Sequence, residues 1–470
     1  MIKKTKIVAT IGPATENKIS MEELALAGMD VVRLNFSHGN YKEHLNRINL
    51  ARLVSKKINK PIAILQDLSG PKIRIGDFYS ESIILRKGQT FILTANKCVG
   101  DEKKVFINYP NLPKEIKSGE RILLNDGKNE LKVEKILGNE IRCKIIVGGE
   151  IKGRRGVNFP DSNLRISSLT KKDREDIKFG IKNKVDFMAI SFVRKPSDIL
   201  ELRNILNKAK TNIKIIAKIE TKEAIENLDE IIKAADGVMV ARGDLAVEML
   251  AEHVPILQKN IIKKCNYAGK PVITATQMLD SMIKNPVPTR AEVNDVANAI
   301  LDGTDAVMLS EETALGNYPI EAVSVMARIA RHTEENYDHE EILKHAHLLP
   351  KSINDSISYG IVTAAHNIGA KAIIALTEYG NAARMISRYK PKQPIIALTP
   401  NRKTYNQLSL SFGCQPMLIK YFKEISEVIE EAKKIAVKNK IAKIGDKVVI
   451  GAGIPFGKAG STNLLIVQVV

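Results

Sequence analysis

Two short runs of this sequence put charge where charge is costly: IIAKIE at residues 215–220 and VMVARGDLAVE at residues 238–248. Each opens as an apolar segment of strand character and stops abruptly at ionisable side chains. Alternation along a strand turns Lys218 and Glu220 to one face, and likewise Arg242 and Asp244. A structural ion pair at a strand end would use the same residues. The chemical reading is a divalent-cation site, with Glu220 and Asp244 as hard oxygen ligands. Beside them Lys218 offers an ammonium to an anionic substrate.

Other runs add polar groups at equivalent places. In VVRLNFSHG, residues 31–39, Arg33, Asn35 and Ser37 fall on one face while Val32, Leu34 and Phe36 take the other. Arg33 brings a planar fork suited to phosphate or carboxylate. Asn35, Ser37 and Asp67 are oxygen donors able to hold a cation. ARGDLAVE turns from strand into a short helix, so the amides of Gly243 and Asp244 are expected at a helix N-terminus, where an anion is favoured. Thr274 and Thr276 of VITATQM, and Ser310 and Glu312 of AVMLSEE, are expected to face inward beside them. Each is unremarkable alone; their convergence depends on the scaffold.

That scaffold is legible as a rhythm. Eight apolar runs with polar ends begin near residues 6, 31, 62, 187, 215, 238, 272 and 306, most of them followed by a helical pattern. SMEELALAGM, for example, reads as a helix opened by a capping box of Ser20 and Glu23. Eight strand–helix repeats predict a closed (β/α)8 barrel, in which chemistry sits at the carboxyl ends of the strands. The third and fourth runs lie about 120 residues apart, far beyond a barrel connection. The insertion alternates with period two and carries turn signals at Asp126-Gly127 and Gly148-Gly149, as an all-β domain does. Placed at the mouth, it would act as a lid. After the closing helix and a polar linker, helix and strand patterns alternate again from Ser352. The expected organisation is therefore α/β: a barrel over residues 1–69 and 156–338, an all-β lid over 70–155, and a C-terminal α/β domain with a largely parallel sheet over 352–470.

Composition narrows the classes. At 470 residues the chain needs more than one core, and 44% hydrophobic with 27% charged residues fits a soluble globular protein. No stretch approaches the roughly 18 apolar residues of a membrane helix, and the basic N-terminus leads into a strand and Gly-Pro rather than a signal peptide. Cys98, Cys143, Cys265 and Cys414 are scattered, which points to reduced thiols and a cytoplasmic location. A net charge of +19 invites nucleic acid, but lysines are spread evenly and no basic run alternates with aromatics, so none is expected.

Taken in order, TKIVATIGPAT, MDVVRLNFSHG, GPKIRIG, GVNFPD, IIAKIET, VARGDLAVE, TATQML and NPVPTRAEVNDVANAILDGTDAVMLSEETALGNYP resemble the pyruvate kinases across essentially the whole chain. The resemblance implies phosphoryl transfer from phosphoenolpyruvate to ADP, the last step of glycolysis. It implies Mg²⁺ or Mn²⁺ on Glu220 and Asp244, and Lys218 and Arg33 at the transferring phosphoryl group. The amides of Gly243 and Asp244, with Thr276, would hold the carboxylate. Thr276, a water or Glu312 would supply the proton to the enolate. Asn35, His38, Arg74 and Arg155 match nucleotide-side positions, Arg155 standing where lysine is usual. A homotetramer is implied as well.

Two departures from the family pattern carry expectations. Relatives that need K⁺ hold it with residues matching Asn35, Ser37, Asp67 and the position of Leu68, and commonly carry Glu where this chain has Lys72. A tethered ammonium there would replace the monovalent ion, so K⁺ is expected not to be required. In the C-terminal loop TEYGNAA, Tyr379 and Ala382 stand where relatives place hydroxyls, which argues against fructose 1,6-bisphosphate. The segment GKAGSTN, residues 457–463, keeps a phosphorylated effector in play. Two rival readings make different predictions. A barrel aldolase would use Lys218 as a Schiff-base lysine trapped by borohydride. A nucleic-acid binder would show steep salt dependence on DNA.

Overall fold

A computed structural model describes residues 3–162, 164–344, 352–421, 424–453 and 462–470. Eight parallel strands close into a barrel: Lys6–Thr10, Val31–Asn35, Ala63–Asp67, Phe187–Ile190, Lys214–Ile219, Gly237–Ala241, Val272–Ala275 and Ala306–Leu309. They coincide with the eight runs read from the sequence. The strands are buried on both faces, and period-two alternation sorts their side chains into two clusters. Val32, Leu34 and Phe36 pack outward against the helices, whereas Val31, Leu65, Phe187, Ala189, Ile216, Met239, Ile273 and Met308 fill the interior. Inward-facing parity, carried to the strand ends, brings Thr10, Arg33, Asp67, Ser191 and Lys218 to one mouth.

Between the third and fourth strands the chain builds a six-stranded sheet and a separate two-stranded one. Asp126-Gly127 makes the expected turn between Arg121–Leu124 and Asn129–Leu137, which pair antiparallel. Gly148-Gly149 does not make a hairpin. The strand Gly149–Lys152 leaves the larger sheet and pairs with Ser82–Leu85, and a Cβ on Gly148 would come within 2.3 Å of the Leu85 carbonyl oxygen, so only glycine fits that crossing. The apolar core of this unit also takes in Val157, Phe159 and Leu164, beyond Arg155. It touches the barrel near the mouth, where the Asn158 amide donates to Glu248 at 2.8 Å.

The helix containing SMEELALAGM starts earlier than its capping-box pattern suggests. It spans Lys18–Ala27, and Asn17 is the N-cap, its side chain accepting the Ser20 amide. Asn caps as well as Ser, and an extra turn is gained by using it.

The C-terminal domain carries a five-stranded sheet, parallel except for its last pair. One of its strands, Cys414–Leu418, escapes a sequence reading because Pro416 interrupts it; the strand lies at the sheet edge, where proline is tolerated. Leu410 from this domain inserts into the barrel-interior cluster and Lys390 pairs with Asp305 at 2.9 Å, fixing the domain to the amino-terminal end of the barrel. Most of GKAGSTN, and with it the anion-loop expectation, lies outside the described residues.

Candidate active site

Lys218 organises the mouth. Its ammonium lies 2.8 Å from Glu220 Oε1 and 3.4 Å from Asp67 Oδ1, and donates to Ser191 Oγ at 2.8 Å. Asp67 Oδ2 accepts from Arg33 Nε at 2.7 Å, and Arg33 Nη1 donates to Thr10 Oγ1 at 2.9 Å. Five strands thus meet in one buried chain of polar contacts. Such a cluster is tolerable only because opposite charges alternate through it.

The electrostatics follow. Burial works to strip the proton from Lys218, but Asp67, Glu220 and Asp244 together overcome it and hold the ammonium above its ordinary value. Burial likewise works to protonate Asp67, and Lys218 with Arg33 reverse it, so the carboxylate sits below its usual range. Glu220 goes the other way. Burial, reinforced by the charge of Asp244, outweighs Lys218 and raises it. Glu220 and Asp244 therefore form a carboxylate pair that a positive charge would relieve. All-oxygen donors, mutually repelling and partly desolvated, fit a hard divalent cation. Among the described residues no group of three His, Cys, Asp or Glu side chains gathers to hold a metal, so further ligands there would come from substrate or water.

Backbone strain gathers at the same place. Phe192, Thr276 and Gln277 have φ of 55°, 72° and 52°. A bulky or β-branched residue in the left-handed region costs on the order of 1–3 kcal/mol and persists only where contacts impose it. Here they do. Phe192 aims its amide at Glu220 Oε2 across 2.6 Å. Thr276 accepts the Gly243 amide on Oγ1 at 2.8 Å and donates to the Ala275 carbonyl.

Several expected placements change. Arg242 and Asp244 do not share a strand face: the strand ends at Ala241 and Arg242–Glu248 is a helix. Two residues apart on a helix are about 200° apart. Arg242 instead pairs with Asp295 at 2.6 Å and donates to the Thr276 carbonyl at 2.7 Å, bracing the strained turn. Thr274 faces outward with Val272 and meets Thr304 Oγ1 at 3.0 Å, because Ile273 and Ala275 own the inward parity. Glu312 is buried in the next loop, its carboxylate accepting the Ser310 and Leu279 amides at 2.7 and 3.3 Å. Burial raises its pKa against those amides.

Asn35 and Ser37 close a turn past the second strand, Asn35 Oδ1 accepting the Ser37 amide at 3.1 Å; His38 follows, exposed. Arg74 and Arg155 lie on neighbouring stretches at the root of the inserted domain, joined through an Arg74–Gly156 bridge and by the Ile75 amide on the Arg155 carbonyl. None of these five bonds to the Lys218 cluster. Lys72 and Asp244 line one cleft of about 250 Å³ between the inserted domain and the barrel, and Lys72 has no ion pair among the described residues. Sequence reading missed Ser191, Thr10 and Phe192. Ser191 was findable, since it shares parity with Phe187 and Ala189 at a strand end; the reversed φ of Phe192 leaves no such signal.

A barrel with a charged, strained mouth at its strand ends, and an inserted β domain touching it nearby, defines an enzyme that handles anionic substrates. Residues 2–323 match the family model for the pyruvate kinase barrel domain, and residues 355–468 that for the pyruvate kinase alpha/beta domain. The chain belongs to the pyruvate kinase family and is a phosphotransferase. It is 47% identical to a pyruvate kinase of Clostridium perfringens over 99% of this chain and 100% of that one. It is equally similar, at 47%, to one of Staphylococcus aureus, covering 100% of this chain and 81% of the other. A crystal structure of a pyruvate kinase from Cryptosporidium parvum superposes with a TM-score of 0.95 at 37% identity, covering 99% and 96% of the two chains.

Proposed function

We propose that this enzyme moves the phosphoryl group of phosphoenolpyruvate to ADP at the Lys218 cluster, with Mg²⁺ or Mn²⁺ held by Glu220 and Asp244, and that it needs no K⁺. Phosphoryl transfer asks a protein for positioning and charge neutralisation more than for covalent chemistry. The observation that carries the reading is Lys218 itself: an ammonium kept charged by three carboxylates in a buried mouth. It would face the equatorial oxygens of the moving group, with Arg33, braced by Asp67 and Thr10, beside it. When bound, the divalent ion would neutralise substrate oxygens and draw charge toward the leaving enolate.

Thr276, locked to the Gly243 amide, would orient the carboxylate end together with the Asp244 amide. Glu312 keeps its carboxylate on two amides, and the Thr276 hydroxyl would have to leave the Ala275 carbonyl to donate; Thr276 or a water it positions is our reading for the proton. Arg74, Arg155, Asn35 and His38 at the lid root and adjoining turn would take the nucleotide phosphates. Lys72, exposed and without an ion pair among the described residues, lines the same cleft as Asp244 and supports K⁺ independence. Assembly as a homotetramer and a cytoplasmic setting complete the reading; no helix among the described residues is long and apolar enough to cross a membrane.

A coupled assay of ADP-dependent pyruvate formation tests this directly. Activity should require Mg²⁺ or Mn²⁺ and persist when tetramethylammonium replaces Na⁺ and K⁺. Activity seen only with K⁺ removes the Lys72 part. Mn²⁺ affinity, read by electron paramagnetic resonance, should fall roughly 10–100-fold in Glu220→Gln and Asp244→Asn; unchanged affinity removes the metal assignment.

A further inference from the structure

The amino-terminal end of the barrel, opposite the mouth, meets the C-terminal domain across a cavity of about 230 Å³. The barrel contributes Lys214, Asp236 and Lys270 to its walls, and the C-terminal domain contributes Asn354, Asn381 and Arg384. Three cations thus surround one carboxylate, and that carboxylate is already engaged. Asp236 Oδ2 accepts Arg203 Nη2 at 2.5 Å and the Ile215 amide at 2.8 Å, leaving Oδ1 at 3.5 Å from Lys214.

The other two cations form no ion pair with an acid among the described residues. Lys270 donates to the carbonyls of Ile232, Lys233 and Ala235 at the end of one helix, and no carboxylate pairs with it among the described residues. Among the described residues Arg384 bonds only to the Tyr379 carbonyl and to Asn381 Oδ1. Its Nη1 occupies space that a side chain on Gly380 would take, at 2.6 Å from a Cβ there. Gly380 has φ of 83° as well, so glycine alone serves at that position. Asn354 Oδ1 is buried with no hydrogen-bond partner among the described residues. Burial lowers the pKa of Lys214, Lys270 and Arg384 alike, Asp236 opposing it, and the charge of Arg384 counts against both lysines. A partly buried surplus of positive charge is costly, and an accompanying anion would relieve it.

We propose that this junction cavity is a second anion site, binding a phosphate group between the Arg384 fork and the Lys214 ammonium, with Lys270 adding field. The volume is below that of drug-sized pockets, so it suits free phosphate or the phosphoryl end of a small ester, not a nucleotide. Asn354 Oδ1 would accept from a protonated phosphate oxygen or an ester hydroxyl. The site is separate from the substrate end: Lys214 and Lys218 stand on one strand with about 13 Å of backbone between them. A ligand here would join the C-terminal domain to the strand that bears Lys218 and Glu220. It would also tighten Arg384 on the TEYGNAA loop.

Thermal unfolding of the full chain, titrated with inorganic phosphate and separately with glycerol 2-phosphate against chloride at matched ionic strength, tests the site. A saturable rise in Tm is expected with at least one of the two, and whichever binds more tightly identifies the ligand class. Arg384→Met and Lys214→Met should each weaken that binding about tenfold or more, Arg384→Lys should keep part of it, and Lys218→Met should leave it intact. Loss in Lys218→Met alone, binding undiminished in Lys214→Met, or no saturable effect of either anion overturns the proposal. Should Arg384→Met fail to fold, Lys214→Met decides by itself.

Discussion

Glu220 Oε1 lies 2.8 Å from Lys218 Nζ while Glu220 Oε2 accepts the Phe192 amide at 2.6 Å. One carboxylate is thereby fixed at both oxygens, and Lys218 is fixed by it. Lys218→Met would keep the stem and remove the charge, leaving Asp67 and Glu220 buried without their shared cation. Breaking a buried pair on one side costs roughly 3–5 kcal/mol, so a fall in Tm is expected along with a loss of kcat on the order of 10³-fold or more. Stopped-assay kinetics with calorimetry checks both. A variant with normal kcat sinks the catalytic role. The double variant Lys218→Met/Glu220→Gln should recover part of the lost stability and none of the activity.

The turn at Thr276 separates geometry from chemistry. Its φ of 72° penalises any side chain, yet its hydroxyl anchors the Gly243 amide. Thr276→Ala loses the hydroxyl and keeps the strain, whereas Thr276→Gly loses the hydroxyl and relieves it. Urea unfolding should rank the glycine variant above the alanine variant by about 1 kcal/mol, and both should lose activity by about 10- to 100-fold. If alanine proves the more stable, the strain is not real in solution.

How far the sequence discloses this site depends on where each residue sits relative to a strand. Within strands, alternation is rigid, so Arg33, Asp67 and Lys218 were placeable from parity alone. One step past a strand end, parity fails. Arg242 enters a helix and turns to Asp295, and Thr276 reverses its φ, while Thr274, still inside its strand, faces outward with Val272. The barrel was legible because its eight runs repeat one grammar. The junction at Gly148 was not, because nothing local says that a glycine pair crosses between sheets instead of turning back.

Lys72 provides a charge-reversal experiment. It is exposed, lines the cleft with Asp244 and forms no ion pair among the described residues. Lys72→Glu would replace a tethered cation by an anion in a mouth that must receive a polyanionic substrate. With tetramethylammonium as the only monovalent cation, activity is expected to fall about tenfold or more, and K⁺ should restore part of it. Lys72→Met should lose activity without gaining a K⁺ response. An enzyme indifferent to both changes would show that Lys72 merely points to solvent.

His44 sets an acid limit on stability. It is 2% exposed, stacked on Phe36 at 4.0 Å, with Nε2 3.0 Å from the His38 carbonyl oxygen. Burial lowers its pKa from 6.5 to about 4; the His38 carbonyl and Glu43 oppose the shift, and Arg47 and Lys172 add to it. The folded state therefore prefers the neutral ring. Its contribution is complete above the unfolded value near 6.5 and is lost as pH falls from there toward 4, by on the order of 1–3 kcal/mol. His44→Gln cannot take up that proton. Its Tm should consequently fall less than the wild-type Tm between pH 6.5 and 4.5, even if it starts lower, and parallel curves over that window would show that His44 is not the titrating group. The same protonation would push an imidazolium toward Arg47 and Lys172, so salt should soften the wild-type acid loss more than that of the variant.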